Sequence, residues 1–282
     1  MTIKTIAVCG AGTMGRGIAQ VCATAGFFTI VYEPNEAVLQ SAQESVGASL
    51  QKLEEKGKLT TGKASGIMQR LHFTSDIEDC RAELIIEAIV EVQEVKSSLF
   101  SRLAEINNRS TIFASNTSSL SITDLAAATA NPRQFAGLHF FNPAPLMRLV
   151  EIVRGEQTSE EVITELQQLV GRLAKTGVLC TDAPGFIVNR VARPFYIEAL
   201  RQAEAGVPLE KIDRLMEARG FKMGPFRLMD LIGNDVNYAV SCSVHEQLGK
   251  PERLKPSYLQ QEKVALNELG KKTGKGYYTY GL

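Results

Sequence analysis

The sequence has little of what marks metal-binding, membrane or nucleic-acid-binding proteins. Its 31 basic and 31 acidic residues give a net charge of zero, which indicates no nucleic-acid partner. It contains no run of about 18 apolar residues, so no membrane span is expected. The five cysteines show no C-x-x-C spacing, which argues against zinc or another metal and favours buried, reduced thiols. They are Cys9, Cys22, Cys80, Cys180 and Cys242.

The chain has 282 residues, 44% of them hydrophobic, which is enough for one large or two moderate domains. Its first apolar run, Thr5–Gly10, is short and leads directly into a glycine-rich loop. The run therefore predicts a strand rather than a signal peptide, and we expect a cytoplasmic protein.

The glycine-rich stretch VCGAGTMGRGIAQ, residues 8–20, has the spacing G-x-G-x-x-G. Alone this pattern is weak, but a β-prone run precedes it, and Met14, Ile18 and Val21 follow at helical spacing. A second β-prone run, Thr29–Glu33, comes next. The order strand, glycine loop, helix, strand predicts a dinucleotide site rather than a glycine turn without a ligand. The predicted cofactor-binding residues are Gly10, Gly12, Thr13, Met14, Gly15 and Glu33.

Each part of this predicted site has a physical reason. Gly10 permits the tight turn, Gly12 lets the backbone approach the pyrophosphate, and Gly15 lets the helix pack closely on the strand. The N-terminus of the helix offers unpaired N–H groups to the phosphates. Glu33, 18 residues after Gly15, can accept hydrogen bonds from a ribose 2′-hydroxyl and would repel a 2′-phosphate. The predicted cofactor is therefore NAD rather than NADP.

Strand and helix patterns alternate through residues 1–183, which predicts an α/β domain with a doubly wound, largely parallel sheet. Residues 184–282 look helical apart from KGYYTYG, and predict an all-α C-terminal domain whose first helix ends at Gly206. The further strand candidates are AELIIEAI, STIFASN, FAGLHFFNP, RLVEIVRG and GVLCTD.

The charged segment Glu36–Arg70 interrupts this alternation. It predicts a helical hairpin, broken at Gly57–Gly62, that stands off the sheet. Lys52 and Lys56 lie one helical turn apart in it. From the residues alone, a solvated helix face explains these lysines better than contact with a phosphorylated ligand.

His139 is the histidine with the most suggestive setting. It lies at the end of a predicted strand in AGLHFFNPAP, and ligands bind at the carboxyl edge of an open parallel sheet. Glu151 follows twelve residues later on the next predicted strand, so a returning strand would bring the two side chains together. A histidine held by a carboxylate makes a positioned general base. A core histidine with Glu151 on the surface explains the same spacing, and both interpretations stay open.

Two polar stretches lie beside predicted element ends. The hydroxyl and amide groups of SNTSSL, residues 115–120, are costly to bury without a role, although Ser119 and Ser121 could cap the next helix. Asn189 lies in an otherwise apolar helix turn at the domain junction, and ligands often bind in clefts between domains.

Seven segments spread over essentially the whole chain resemble the L-3-hydroxyacyl-CoA dehydrogenases and, by length, their short 3-hydroxybutyryl-CoA type. The segments are GAGTMGRGIAQ, IIEAIVE, FASNTSSL, GLHFFNPAPLMRLVEIV, DAPGFIVNR, MGPFRLMDLIG and GKKTGKGYYTYG. The resemblance implies hydride exchange between NAD and an acyl-CoA thioester, 3-hydroxybutyryl-CoA giving acetoacetyl-CoA. It also implies a homodimer formed through the C-terminal domain. Glu33 stands where the family more often has aspartate, which keeps the carboxylate for NAD.

The resemblance further implies roles for single residues. His139 matches the catalytic base and Glu151 its partner, while Ser118 and Asn189 match residues that bind the reacting oxygen and the acyl-thioester. The implied cofactor contacts are Glu91, Lys96, Asn116, Ser118 and Asn142. The implied coenzyme A contacts are Ser49, Lys52 and Lys56, which reverses the solvated-face interpretation.

Three other functions fit part of the pattern. A dehydrogenase of free β-hydroxyacids would not need the HFFNP histidine or the lysine-bearing hairpin. A crystallin-like structural relative would not need the complete set of Ser118, His139, Glu151 and Asn189. An NAD-binding regulator would bind the cofactor without turnover.

Overall fold

The computed structural model describes residues 3–281 and divides the chain into two compact units, one ending at Asp182 and one beginning at Ala183. The first unit contains an eight-stranded sheet with helices packed against it, and the second is helical. The predicted fold class, a doubly wound α/β sheet followed by an all-α region, is confirmed. None of the helices within residues 3–281 is both long and apolar enough to cross a membrane.

The strands of the first unit are arranged so that the order of the sheet reverses near its centre. They are β1 (Thr5–Cys9), β2 (Phe28–Tyr32), β3 (Leu71–Thr74), β4 (Leu84–Glu87), β5 (Ile112–Ser115), β6 (Phe135–Phe140), β7 (Leu149–Arg154) and β8 (Thr176–Thr181). Their spatial order is β3-β2-β1-β4-β5-β6-β7-β8, and only the β6–β7 pair is antiparallel. The order reverses between β1 and β4, and ligands bind at such a switch point in open α/β sheets.

Side-chain caps start several helices of the first unit. Asn35 accepts hydrogen bonds from the N–H groups of Ala37 and Val38, at 3.0 and 3.2 Å, and Ser159 likewise caps a later helix. The helices are α1 (Thr13–Thr24), α2 (Glu36–Glu55), α3 (Lys63–Met68), α4 (Gln93–Ile106), α5 (Ile122–Ala126) and α6 (Glu160–Arg172).

The charged segment Glu36–Arg70 forms α2 and α3, with the break between them where the sequence predicts it. The expectation that this hairpin stands off the sheet is wrong, because its apolar side chains join the main core of the unit. The hairpin connects β2 to the strand β3, which is parallel to it. The sequence does not predict β3, and a connection between two parallel strands of one sheet crosses over the face of that sheet. Its buried apolar side chains are Ala42, Val46, Leu50 and Ile67.

The second unit consists of α7 (Val188–Glu204), α8 (Leu209–Ala218), α9 (Pro225–Ile232), α10 (Asn234–Gln247) and α11 (Tyr258–Ala265). Its core contains Leu200, Phe226 and Met229. Buried Asp230 accepts hydrogen bonds from the N–H groups of Tyr277 and Tyr278, both at 2.9 Å. This carboxylate therefore holds the non-helical KGYYTYG segment against α9.

Candidate active site

The glycine loop between β1 and α1 has the geometry of a dinucleotide cradle. Gly10 has a φ of +100°, and a Cβ there would lie 2.6 Å from the carbonyl oxygen of Ala88. A Cβ on Gly15 would overlap the carbonyl of Gly10. A Cβ on Gly12 would meet no protein atom within 4 Å, so packing does not require this glycine, whereas a pyrophosphate bound close to the backbone would.

The surroundings of the loop also fit NAD. The first turn of α1 carries no acidic side chain that would compete with a phosphate for its N–H groups. Glu33, directly after β2, accepts hydrogen bonds from the N–H groups of Ala11 and Asn35, each at 3.2 Å. Its carboxylate therefore lies beside the glycine loop, where a ribose hydroxyl would need it.

His139 and Glu151 face each other across the antiparallel pair of β6 and β7. Nδ1 of His139 lies 2.7 Å from Oε2 of Glu151, and the two side chains are 8% and 1% exposed. The ring of Phe141 packs on the imidazole, with 4.5 Å between centroids. Because β6 runs parallel to β5 and His139 is near its end, the pair lies at the carboxyl edge of the sheet. Glu151 is thus a buried hydrogen-bond partner of the histidine rather than a surface residue.

The loop after β5 is built around one carboxylate. Oε1 of Glu91 accepts hydrogen bonds from the Thr117 hydroxyl at 2.5 Å, the Ser118 N–H at 2.9 Å and the Ser119 hydroxyl at 3.0 Å. We call residues Thr117–Leu120 the Ser118 turn. Ser121 caps α5 through the N–H of Asp124, so the capping interpretation describes Ser121, whereas Ser119 binds Glu91 instead.

A lysine with almost no solvent exposure lies behind this turn. Lys96 of α4 is 1% exposed, and its Nζ lies 2.5 Å from Oε1 of Glu87 and 3.1 Å from Oε2 of Glu91. We call these three residues the buried lysine cluster. Removing one partner of a buried ion pair costs roughly 3–5 kcal/mol, which applies to Lys96 and the fully buried Glu87. Glu91 is 37% exposed and holds the ammonium from its other side.

The cluster also sets the charge state of Glu91. Partial burial acts to raise the pKa of this carboxyl, but the charge of Lys96 and the hydrogen bonds from Thr117 and Ser118 outweigh burial and lower it. Glu91 is therefore ionised at neutral pH and stays a strong acceptor for the Ser118 turn.

The two asparagines predicted to contact the cofactor, Asn116 and Asn142, lie close to His139. Oδ1 of Asn116 accepts a hydrogen bond from the N–H of Phe140, the residue after His139, at 2.8 Å. Asn142 is exposed in the loop that follows β6. The ammonium of Lys175 donates to carbonyl oxygens of Ala144 and Met147 in this loop, at 2.5 and 2.7 Å, and holds its position.

The remaining predicted site residues lie elsewhere. Ser49 and Lys52 are on α2, and Lys56 directly follows it, with both lysines exposed. This hairpin leads into β3 at one edge of the sheet, whereas β7, which carries Glu151, lies next to the other edge. Asn189 is in the first turn of α7 in the second unit.

Several residues that shape the site carry no local sequence signal. Glu87 ends an apolar strand, and only its charge at the end of LIIE hints at a role. Asp182 accepts hydrogen bonds from Ser121, Ile122 and Thr123, some 60 residues away along the chain. Lys175 binds a loop 28 to 31 residues before it. No spacing rule finds such pairs, because the fold alone brings them together.

A doubly wound sheet with a G-x-G-x-x-G loop at its switch point defines a dinucleotide-binding protein. Residues 5–183 match the family model described as 3-hydroxyacyl-CoA dehydrogenase, NAD binding domain, and residues 185–280 match its C-terminal domain. The chain belongs to the 3-hydroxyacyl-CoA dehydrogenase family of enzymes, and its cofactor is NAD. The predicted family and cofactor are confirmed.

Relatives cover almost the whole chain. A 3-hydroxyadipyl-CoA dehydrogenase of Escherichia coli is 46% identical over 99% of this chain. The match covers only 60% of that relative's own length. A probable 3-hydroxybutyryl-CoA dehydrogenase of Deinococcus radiodurans is 43% identical over 97% of this chain and 99% of its own. The solved structure of (S)-3-hydroxybutyryl-CoA dehydrogenase from Ralstonia eutropha has a TM-score of 0.95 at 36% identity, with both chains fully covered.

Proposed function

We propose that the chain is an NAD-dependent (S)-3-hydroxyacyl-CoA dehydrogenase that interconverts 3-hydroxybutyryl-CoA and acetoacetyl-CoA. The observation that carries this proposal is the buried pair of His139 and Glu151, 2.7 Å apart at the carboxyl edge of an NAD-binding sheet. The names of the relatives from Deinococcus radiodurans and Ralstonia eutropha support the four-carbon substrate.

In this mechanism His139 acts as general base and acid. Bound NAD would supply the acceptor for the hydride that leaves C3 of the substrate. His139 takes the proton of the 3-hydroxyl through Nε2, the ring nitrogen that does not bond to Glu151. Glu151 fixes the tautomer with a proton on Nδ1 and stabilises the imidazolium that forms. In the reverse direction His139 returns the proton to a 3-keto oxygen.

Other residues of the proposed machinery bind and orient the two reactants. Ser118 and Asn189 bind the reacting oxygen and the acyl-thioester. Ser49, Lys52 and Lys56 contact coenzyme A, whose phosphates suit the two exposed ammonium groups. The cofactor contacts are Gly10, Gly12, Thr13, Met14, Gly15, Glu33, Glu91, Lys96, Asn116, Ser118 and Asn142.

We further infer that residues 1–183 act as the cofactor domain and residues 184–282 as a substrate and dimerisation domain. A helical surface that pairs with a second copy should expose large apolar side chains. Several in the second unit are at least half exposed: Val191, Leu215, Leu231, Tyr258 and Leu266. Analytical ultracentrifugation tests the homodimer, and a monomer at all accessible concentrations would exclude it.

The loss of NADH absorbance with acetoacetyl-CoA tests the proposed activity. Free acetoacetate, NADPH in place of NADH, and thioesters of longer and dicarboxylic acyl groups serve as comparisons. Rapid oxidation of NADH with acetoacetyl-CoA, but not with the free acid, is the expected result. A protein that binds NADH but turns over none of these substrates would be a structural or regulatory member of the family.

A further inference from the structure

The carboxylate of Glu87 is completely buried at the carboxyl end of β4, and the proposed mechanism assigns it no role. Glu87 is 0% exposed and ends β4. Its register neighbours are Cys9, directly before the glycine loop, and Ser115, three residues before Ser118. Glu87 therefore lies between the cofactor loop and the loop that carries a proposed substrate contact.

Both oxygens of this carboxylate are hydrogen-bonded. Oε1 accepts from the ammonium of Lys96 at 2.5 Å and from the N–H of Ile89 at 2.7 Å. Oε2 accepts from the hydroxyl of Ser115 at 2.6 Å. Because its three donors come from β5, α4 and the loop after β4, the carboxylate has one fixed position.

Lys96 connects Glu87 to Glu91. A lysine side chain usually reaches towards water, but at 1% exposure Lys96 lies between Glu87 and Glu91. Its distance of 3.1 Å to Oε2 of Glu91 fixes one oxygen of that carboxylate. The other oxygen, Oε1, then points at the Ser118 turn and accepts its three hydrogen bonds.

We propose that Glu87 is a positioning residue for Ser118, acting through Lys96 and Glu91 without contact to either reactant. The chain of contacts runs from Glu87 to Lys96, from Lys96 to Glu91, and from Glu91 to the N–H of Ser118. Glu87 thereby fixes where the Ser118 hydroxyl meets the substrate oxygen. This inference rests on the proposed function, because that function places Ser118 at the substrate.

A simpler account holds that Glu87 only stabilises the strand β4, independently of Lys96. The two accounts differ in how substitutions combine. If Glu87 acts through Lys96, then changing both residues should lower kcat no further than changing Lys96 alone. If Glu87 only supports the strand, the two losses should multiply, because independent effects add as free energies.

Glu87→Gln keeps the size of the side chain and removes its charge. We expect kcat for acetoacetyl-CoA reduction at saturating NADH to fall roughly 10- to 100-fold, as for a displacement of about 1 Å at a reacting group. The dissociation constant of NADH should change much less. Glu87→Asp, which keeps the charge but shortens the side chain, should recover part of kcat. It also replaces Glu87→Gln as the test variant if Glu87→Gln does not fold.

Glu83→Gln is the matched control. Glu83 directly precedes β4, and its carboxylate accepts hydrogen bonds from the N–H groups of Thr5 and Lys4, at 2.7 and 3.2 Å. It lies at the amino edge of the sheet, so a general weakening of β4 would appear in this variant too. We expect its kcat to equal that of the wild type. Equal losses of kcat in the Glu83 and Glu87 variants would overturn the proposal, as would multiplicative losses with Lys96→Met.

Amide hydrogen exchange provides a readout that needs no turnover. Protection of the segment 115–121 should fall in Glu87→Gln and stay at the wild-type level in Glu83→Gln, because the Ser118 N–H loses its fixed acceptor. If the wild type fails to reduce acetoacetyl-CoA while this difference is seen, the proposed function fails and the positioning role stands. Unchanged exchange in Glu87→Gln would overturn the positioning role whatever the activity.

Discussion

Replacing Glu151 with glutamine removes one negative charge beside His139 and keeps the shape of the side chain. The carboxylate is 1% exposed and 2.7 Å from Nδ1, so water cannot take its place. A hydrogen bond to a charged partner contributes about 1.5–3 kcal/mol. In the proposed mechanism the imidazolium forms as the hydroxyl proton is transferred, so the loss would fall on the transition state. At about 1.4 kcal/mol per factor of ten, we expect kcat to fall roughly 10- to 100-fold.

Other properties of Glu151→Gln should change little. The glutamine oxygen can still accept the Nδ1 proton of a neutral imidazole, so the resting pair keeps its hydrogen bond. NADH affinity should hold, because β7 lies four strands from β1 in the sheet order. At about 4.8 Å per strand, that separation is roughly 19 Å. The pH profile of kcat for hydroxyacyl oxidation should differ from that of the wild type, because the negative charge beside the imidazole is removed.

The assay is steady-state oxidation of 3-hydroxybutyryl-CoA across pH, with NADH binding followed by fluorescence. Glu160→Gln is a matched control, because this carboxylate is 69% exposed and pairs at 2.8 Å with Arg154 of the same strand β7. Exposed pairs contribute little, so its kcat should equal that of the wild type. A wild-type kcat and pH profile in Glu151→Gln would refute the general-base partnership and leave Glu151 as a packing residue.

Three further outcomes are expected. His139→Ala should lower kcat by roughly two to four orders of magnitude with NADH affinity near normal, and substantial turnover would exclude His139 as the base. Changing Lys52 and Lys56 together to alanine should raise KM for the thioester at low ionic strength and much less at high salt, because salt screens exposed charges. An unchanged KM at low salt would restore the interpretation that these lysines form a solvated helix face. The lowered pKa of Glu91 stabilises the fold above its unfolded pKa of about 4.3, and this contribution is lost as pH falls through the folded value. Urea unfolding of wild type and Glu91→Gln should therefore differ most near neutral pH and converge in acid, and a constant difference would contradict the assignment.

The parts of the fold that the sequence predicts are those governed by local patterns. The unit from β1 through the glycine loop and α1 to β2 is one example, because its turn, helix start and strand are encoded within about thirty residues. The pairing of His139 with Glu151 is predicted only in part: the spacing allows a returning strand but leaves a surface Glu151 open, and the register of β6 and β7 decides it. The edge strand β3 is missed, because Leu71–Thr74 is short and two of its four residues are polar.

The burial of Lys96 in the buried lysine cluster cannot be predicted from hydropathy patterns in the sequence. The apolar positions Val95, Leu99, Leu103 and Ile106 recur at helical spacing in α4, yet Val95 is 44% exposed. The buried residues of α4 are instead Lys96, Phe100 and Leu103. A lysine on the inner face contradicts hydropathy, and only a carboxylate from another element makes its burial tolerable. That partner is on β4, so the burial of Lys96 follows from tertiary structure alone.

The same chemistry recurs along the carboxyl edge of the sheet. A carboxylate accepts a hydrogen bond from a loop N–H at three places: Glu33 at Ala11, Glu87 at Ile89 and Glu91 at Ser118. Loops at this edge have N–H groups that no strand satisfies, and an ionised oxygen is a strong acceptor that cannot itself donate. Glutamine or asparagine can still accept such a bond but lacks the charge. Amide substitutions therefore separate the two contributions. Where a carboxylate only shapes a loop, activity should survive. Where it also supports a buried cation, as Glu87 does at Lys96, activity should fall while the fold persists.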